Sequence, residues 1–167
     1  DGVERILRAV AQASVETGAP ITVHTNPLHH TGTDALRVLI EEGVNPQKVV
    51  LGHSGDSTDL DHLRSLMDDG ATLGMDRFGL EHILSTSERV NTVAQLCAMG
   101  YADRMVLSHD ACGFIDWFPA GWEEQWPNWH FLHIPQVVLP ALREAGVDEA
   151  ALSMMLIDNP ARYFASN

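Results

Sequence analysis

Two histidines and an aspartate follow strand-like segments of this 167-residue chain. His24 ends the first such segment, His53 follows the second 29 positions later, and Asp110 follows another a further 57 positions on. Imidazole nitrogens and carboxylate oxygens bind Zn, Mn, Fe or Co, and three protein ligands leave a coordination position for water. A metal lowers the pKa of that water, and a nearby carboxylate can accept its proton. The three residues therefore predict a site with the metal ligands and the proton acceptor that a metal-dependent hydrolase requires.

The elements that must position these residues are strands and helices in alternation. Apolar, β-branched runs predict strands at 21–25, 48–52, 71–75 and 104–108. Alternation with amphipathic helices predicts parallel βαβ units, in which the carboxyl ends of the strands meet. Four units make half of a (β/α)8 barrel or most of an open doubly wound sheet. No glycine-rich nucleotide-binding fingerprint follows any strand.

Apolar residues at helical spacing, with glycines beyond them, predict the helices. The first helix contains Val3 to Val10, and Thr33 or Asp34 caps the second. Further helices are predicted at 57–69, 88–99, about 130–144 and 149–157, with Asn159-Pro160 interrupting the last. A long aromatic loop runs from His109 to about Asn128.

Composition excludes several classes of partner. The formal charge of −13, from 23 acidic residues against 10 Lys and Arg, argues against nucleic acid, whose binding needs basic side chains. No run of about 18 apolar residues occurs, so we expect no membrane span. Only two cysteines are present, which predicts no disulfide framework and favours a reducing, cytoplasmic location.

Five motifs together resemble the phosphotriesterase-like family of amidohydrolases, which includes phosphotriesterases, related lactonases and phosphotriesterase-related proteins. In chain order they are Val23-His24-Thr25, Gly52-His53-Ser54 with Asp56 and Asp59 beyond, Gly74-Met75-Asp76-Arg77, Leu107-Ser108-His109-Asp110 and Asn159-Pro160-Ala161-Arg162. The resemblance covers essentially the whole chain. It implies a (β/α)8 TIM barrel, of which residues 1–167 are the C-terminal half, about strands 5–8 with their helices.

The resemblance also implies roles within a binuclear metal centre, with Zn expected and Mn, Co or Fe as alternatives. His24 and His53 would hold the more exposed metal, while Asp110 would bind the buried metal and accept a proton from the bridging hydroxide. Asp56 would relay that proton outward; its position in the sequence also suits a helix N-cap.

Substrate contacts are implied for one charged residue and for the aromatic loop. Arg77 would lie in the substrate pocket. Trp117 and Trp122 would help the loop after Asp110 to close an apolar pocket over a small-molecule substrate. The same aromatic residues could instead form a small satellite core.

Three functional classes follow. The leading hypothesis is hydrolysis of a lactone, ester or phosphotriester by metal-activated hydroxide. The alternatives are a barrel fragment that serves as a binding or structural module, and a mononuclear metalloenzyme that uses only His24, His53 and Asp110.

Two of the family's metal-binding features are not found in this sequence. The family's His-x-His pair is absent, and so is its carboxylated lysine at a strand end, because the single lysine, Lys48, begins a strand. We therefore expect an N-terminal half to be missing, and open strand edges to favour self-association or pairing with that half.

The remaining histidines are expected to serve packing, capping or solvation. His62 and His82 are predicted to be solvated, and His109 to pack away from Asp110 because neighbouring residues of a strand point to opposite faces. His130 and His133 are predicted to cap or pack a helix.

Overall fold

The computed structural model describes residues 2–112, 114–116, 118 and 120–165. Its four strands are β1 (Ile21–His24), β2 (Val49–Gly52), β3 (Thr72–Met75) and β4 (Met105–Leu107), and all pair in parallel in the order β1-β2-β3-β4. This order matches the order along the chain and contains no reversal. A doubly wound sheet reverses at a switch point, so the sheet is the wall of a barrel.

Seven α-helices in the described part of the chain connect and flank the strands. They are α1 (Gly2–Thr17), α2 (Thr31–Glu41), α3 (Leu60–Asp68), α4 (Thr86–Ala98), α5 (Leu139–Glu144), α6 (Glu149–Ser153) and α7 (Asn159–Phe164), as far as the described residues show. Consecutive helices from α1 to α5 contact one another and form one layer over the sheet. None of the helices described has the length and apolar character needed to cross a membrane.

Side-chain caps move two helix starts away from the predicted positions. The Asp59 side chain accepts from the backbone N–H of His62, so α3 begins at Leu60 rather than at Ser57. Ser85 and Glu88 form a capping box, which starts α4 at Thr86. The possibility that Asp56 caps α3 is therefore wrong, since Asp59 occupies that position.

The predicted break at Asn159-Pro160 is also wrong, because the helical path continues through it. A π-type segment, Met154–Asp158, leads directly into α7, and Pro160 falls in the first turn of α7. The wider π-type segment immediately before Pro160 accommodates a proline that would disrupt a regular α-helix. The Asn159 Nδ2 donates to the carbonyls of Ala102 and Met105 at 2.8 and 2.7 Å, which anchors α7 at the start of β4.

The main core fills the space between the sheet and the helices. It contains fully buried side chains from the strands and from the inner helix faces, among them Leu39, Leu51, Leu63, Leu73, Leu96, Met105 and Met155. A second cluster, which we call the aromatic cluster, consists of Leu80, Ile115, Trp122 and Trp129 with Phe118, Trp126 and Ala111 packed on it. The core holds the strands in register, and the aromatic cluster orders the loop beyond β4.

The strands at the ends of the sheet each have one neighbour within the described part of the chain. Beside β1, α1 exposes Val3 and Ile6 to 76% and 65%. These side chains line a groove of about 730 Å³ between α1, β1 and α2. An apolar face therefore accompanies the open edge of β1.

Candidate active site

The carboxyl ends of β1 and β2 bring His24 and His53 into contact. His24 pairs with Gly52 in the sheet, so His53 follows one residue beyond. His24 Nδ1 lies 3.0 Å from His53 Nε2, and the rings meet edge to face at an interplanar angle of 74°. Two nitrogens at this separation can bind one ion at metal–nitrogen distances of about 2.0–2.1 Å. The two histidines singled out from the sequence thus lie close enough for their nitrogens to share one ion.

Asp76, the residue after β3, holds His53 through two contacts. The His53 Nδ1–H donates to Asp76 Oδ1 at 3.0 Å, and the His53 backbone N–H donates to Oδ2 at 2.9 Å. An ionised carboxylate only accepts hydrogen bonds, so the ring proton lies on Nδ1 and the lone pair on Nε2. The His24 Nδ1–H then donates to His53 Nε2. Sequence reasoning noted Asp76 at its strand end but gave it no role.

His24 is kept neutral by its surroundings. Burial lowers its pKa below the ordinary imidazole range, and the electrostatic influence of the neighbouring His53 and Arg77 lowers it further. A neutral imidazole retains the lone pair that a metal requires. This electrostatic setting suits a ligand role for His24.

Arg77 connects Asp56 and Asp110. Its Nη1 donates to Asp56 Oδ2 at 2.9 Å and its Nε donates to Asp110 Oδ2 at 3.2 Å. Burial lowers the pKa of Arg77, but the hydrogen bond and charge of Asp56, followed by those of Asp110, outweigh it and raise the pKa overall. The same Asp110 oxygen lies 3.9 Å from His53 Nδ1. Asp110 therefore stands beside the histidine pair but bonds to Arg77.

His24 and His53 can supply two of the ligands of one divalent metal ion. His24 and His53 converge, whereas among the described residues no group of three or more His, Cys, Asp or Glu side chains does so. Asp110 is a further oxygen donor beside the pair, with its Oδ2 3.9 Å from His53 Nδ1 and 3.2 Å from Arg77 Nε. The chain thus presents a two-nitrogen site with a carboxylate at its edge.

Three of these residues have left-handed backbones. His53, Arg77 and Asp110 have φ values of 64°, 60° and 53°, and they follow β2, β3 and β4 respectively. This conformation costs a non-glycine residue about 1–2 kcal/mol. Such strain is maintained where packing and polar contacts compensate for it, and it concentrates at functional sites.

Asp56 lies in a short 3-10 turn, Ser54–Asp56, and contacts two arginines. Besides Arg77, Arg89 from α4 places its Nη2 2.7 Å from Asp56 Oδ1. The two atoms are not aligned for a hydrogen bond, so the contact is a charge pair. Sequence reasoning missed Arg89; the available signal was an arginine immediately before Val90 on the apolar face of α4.

A cavity of about 430 Å³ opens over these polar side chains. His24, His53, Arg77 and Asp110 line it on one side. Most of the remaining lining is apolar, namely Leu80, Ile83, Ile115, Phe118, Trp126 and Trp129, with His82 and Cys112 beside them. The site therefore combines charged and metal-binding groups with an aromatic wall.

The aromatic loop forms both the wall and a satellite core. Trp122 is 6% exposed and packs within the aromatic cluster, behind the residues that line the cavity. Trp117 lies outside the described residues. The Trp129 Nε1–H donates to the carbonyl of His109 at 2.8 Å, which ties the loop back to the end of β4. Other residues of the loop therefore line part of the cavity, whereas Trp122 belongs to the small core, and closure of the pocket over a substrate stays a prediction.

The other histidines have structural contacts. The prediction that His62 is solvated is wrong: it is 9% exposed and stacks on His30, with ring centroids 4.0 Å apart. Residues of the loop after β1 cover α3 at this point, which the pattern of α3 alone does not reveal. His82 stacks on Trp126 at the cavity, and His109 packs against Phe131. His133 is buried and contacts the hydroxyl of Thr86.

A parallel β/α wall whose carboxyl edge gathers paired histidines and carboxylates is the arrangement on which (β/α)8 barrels build their functional sites. The family model described as "Phosphotriesterase family" matches residues 1–164, and this chain belongs to that family. A phosphotriesterase homology protein of Mycobacterium tuberculosis is 52% identical over 98% of this chain and 50% of its own length. An aryldialkylphosphatase of Saccharolobus solfataricus is 37% identical over 98% of this chain and 53% of its own.

Solved structures agree with this assignment. The phosphotriesterase from Mycobacterium tuberculosis superposes with a TM-score of 0.94 at 52% identity, over 97% of this chain and 50% of that one. The organophosphorus hydrolase from Deinococcus radiodurans superposes with a TM-score of 0.83 at 33% identity, over 95% and 50%. The TIM-barrel fold class is confirmed, and the chain spans about half the length of these relatives.

Proposed function

We propose that this chain is part of a metal-dependent hydrolase, in which His24 and His53 bind a metal ion and Asp110 accepts a proton. The observation that carries the proposal is the 3.0 Å approach of His24 Nδ1 to His53 Nε2. Membership of the phosphotriesterase family supports it, as do relatives named aryldialkylphosphatase and organophosphorus hydrolase.

The residues present suit a divalent ion, with Zn expected and Mn, Co or Fe compatible with the same donors. When bound, such an ion supplies a Lewis acid and lowers the pKa of coordinated water. Asp76 prepares His53 for this role, because it keeps the proton on Nδ1 and leaves Nε2 free to bind. His24, neutral at its lowered pKa, would offer Nδ1 once its ring proton shifts to Nε2.

Asp110 is the proposed proton acceptor and a further metal ligand. Its side chain is 42% exposed and lines the cavity next to the histidine pair. Asp56 is the proposed second carboxylate of the proton path, because Arg77 contacts both acids. Arg77 thereby links Asp56, which is not among the lining residues, to Asp110, which lines the cavity.

The proposed substrate is a small neutral lactone, ester or phosphotriester with an apolar substituent. Arg77 can donate to a polar oxygen of the substrate, while Phe118, Trp126 and Trp129 contact the apolar part. Trp122 would act by supporting this wall from behind, and Trp117 remains a proposed contact. The acidic composition disfavours polyanionic substrates.

Metal analysis and hydrolysis assays test the proposal. The purified chain, loaded with Zn²⁺ or Co²⁺, should retain about one equivalent of metal, because the described residues present one converging nitrogen pair. His24→Ala should abolish this binding. Asp110→Asn should lower hydrolysis of a lactone, an aryl ester or a dialkyl aryl phosphate by about a hundredfold or more.

The control is His29→Ala, which alters an exposed histidine in the loop after β1 and should leave binding and rate unchanged. Unchanged rates in both the His24 and the Asp110 variants would contradict the assignment. A chain that retains no metal would instead support the binding-module alternative.

A further inference from the structure

Arg89 is fully buried, with 0% of its side chain exposed, although it extends from α4 toward charged residues of the candidate site. A buried guanidinium is costly unless acceptors surround it. Its acceptors therefore indicate what the residue holds in place.

These acceptors come from three separate segments. Nη1 donates to the carbonyl of Gly55 at 2.6 Å and to that of Asp76 at 3.1 Å, and Nε donates to the carbonyl of Leu84 at 3.2 Å. Nη2 forms the charge pair with Asp56. One side chain thus joins the turn after β2, the end of β3 and the loop before α4.

Two branches of the site lead away from Arg89. In one, the Asp76 peptide is held by Nη1 while the Asp76 carboxylate holds His53. In the other, Asp56 pairs with Arg77, which contacts Asp110. The charges alternate along this second branch, from the buried Arg89 to the exposed Asp110.

We propose that Arg89 is a positioning residue, which sets the orientation of His53 through the Asp76 peptide and that of Arg77 through Asp56. The planar guanidinium directs donors to several acceptors at once, which the single ammonium of lysine cannot reproduce. The value of this arrangement for metal binding and hydrolysis rests on the proposed function. The arrangement itself can be measured in the metal-free chain.

The test is NMR of the chain labelled with ¹⁵N-histidine, comparing the wild-type chain with Arg89→Lys. The wild type should show a His53 Nδ1–H signal that exchanges slowly with solvent, because Asp76 accepts its proton. Arg89→Lys should accelerate this exchange about tenfold or more, or abolish the signal. The matched control is Arg104→Lys, since Arg104 also donates to a loop carbonyl, that of Gly70, but at the start of β4.

A merely structural role would lower the unfolding temperature of Arg89→Lys and leave the His53 signal of the folded protein unchanged. That outcome would overturn the proposal, as would a wild-type chain without a protected His53 signal. If Arg89→Lys does not fold, Asp56→Asn tests whether His53 is positioned through the Asp76 peptide. This variant removes the charge of Asp56 but leaves the bond from Arg89 to the Asp76 carbonyl in place. The His53 signal should then persist, and its loss would refute positioning through the Asp76 peptide.

Hydrolysis gives a second and separate readout. If the wild type hydrolyses an ester or lactone, Arg89→Lys should lower kcat more than it raises KM, since Arg89 does not contact the cavity. If the wild type neither binds metal nor hydrolyses substrate, the proposed function fails, while the NMR comparison still decides the role of Arg89.

Discussion

The carboxylate of Asp76 binds both the ring Nδ1–H and the backbone N–H of His53, at 3.0 and 2.9 Å. Both side chains are only 9% exposed, so little water competes for these hydrogen bonds. Carboxylates that hold a histidine in this way fix its tautomer and raise the basicity of the opposite nitrogen. For His53 that nitrogen is Nε2, the atom that faces His24.

Removing the charge of Asp76 should therefore weaken metal binding. Asp76→Asn retains the size of the side chain, but its amide can turn an N–H toward His53 Nδ1 and disfavour the tautomer with a free Nε2. We expect Co²⁺ affinity, measured by calorimetry, to fall about 10–100-fold. Asp61→Asn, at a side chain 96% exposed, is the control. Equal affinities of the two variants would show that Asp76 does not act on the metal site.

Gly79 lies where the loop after β3 meets the aromatic loop. Its φ is +99°, and a Cβ there would lie 2.1 Å from the carbonyl oxygen of Asn128. Gly79→Ala should lower the free energy of unfolding by about 3 kcal/mol or more, because backbone atoms must move. Gly121→Ala is the matched control, since Gly121 also has a positive φ but open space around it.

The control variant should lose only about 1 kcal/mol from backbone strain. Urea denaturation followed by tryptophan fluorescence measures both variants, because the aromatic cluster lies next to Gly79. A similar loss in the two variants would mean that the aromatic loop adjusts freely around residue 79.

Stability should fall as the pH drops below neutral. Burial lowers the pKa of His62, and the charge of His30 lowers it further, against a smaller opposing effect of Asp59. The unfolded chain, with an ordinary imidazole pKa of about 6.5, then binds a proton that the folded chain resists. The stability associated with neutral His62 is complete above that value and declines as the pH falls toward the lowered pKa.

The His62→Gln variant checks this assignment. Its urea midpoint should decline less between pH 7 and pH 5 than that of the wild type, because the titrating ring is gone. His29→Gln, which replaces an exposed histidine, should follow the wild type. If the urea midpoint of the His62 variant changes with pH as that of the wild type does, the pH dependence comes from other groups. His133 is one such group, since burial also lowers its pKa.

We expect the chain to self-associate through the open side of β1. Ile6 on α1 is 65% exposed and lines the groove beside this strand. Ile6→Glu should shift sedimentation velocity profiles toward the monomer, because it places a charge in the apolar groove. Val15→Glu, at a residue of the same helix that is 53% exposed and outside the groove lining, is the control. A wild type that sediments only as a monomer would refute the expectation.

Local sequence patterns were sufficient to predict the four strands and the residues at their carboxyl ends. The alternation of β-branched runs and amphipathic helices predicted β1 to β4, and parallel strands necessarily bring their carboxyl ends to one side. His24, His53 and Asp110 could therefore be grouped before any contact was known. The helix starts were less predictable, since competing caps such as Asp56 and Asp59 lie only three positions apart.

The sequence by itself thus determined a parallel sheet with alternating helices and the set of residues at one end of that sheet, because both depend on periodicity and chain direction. Only the tertiary structure decided how those residues are held. Asp76 reaches His53 from the neighbouring strand, and Arg89 reaches Asp56 from a helix 33 positions further along the chain. Such contacts depend on side-chain direction and burial, which no local pattern contains. They turn a group of candidate ligands into a site with a defined histidine tautomer and a connected set of charges.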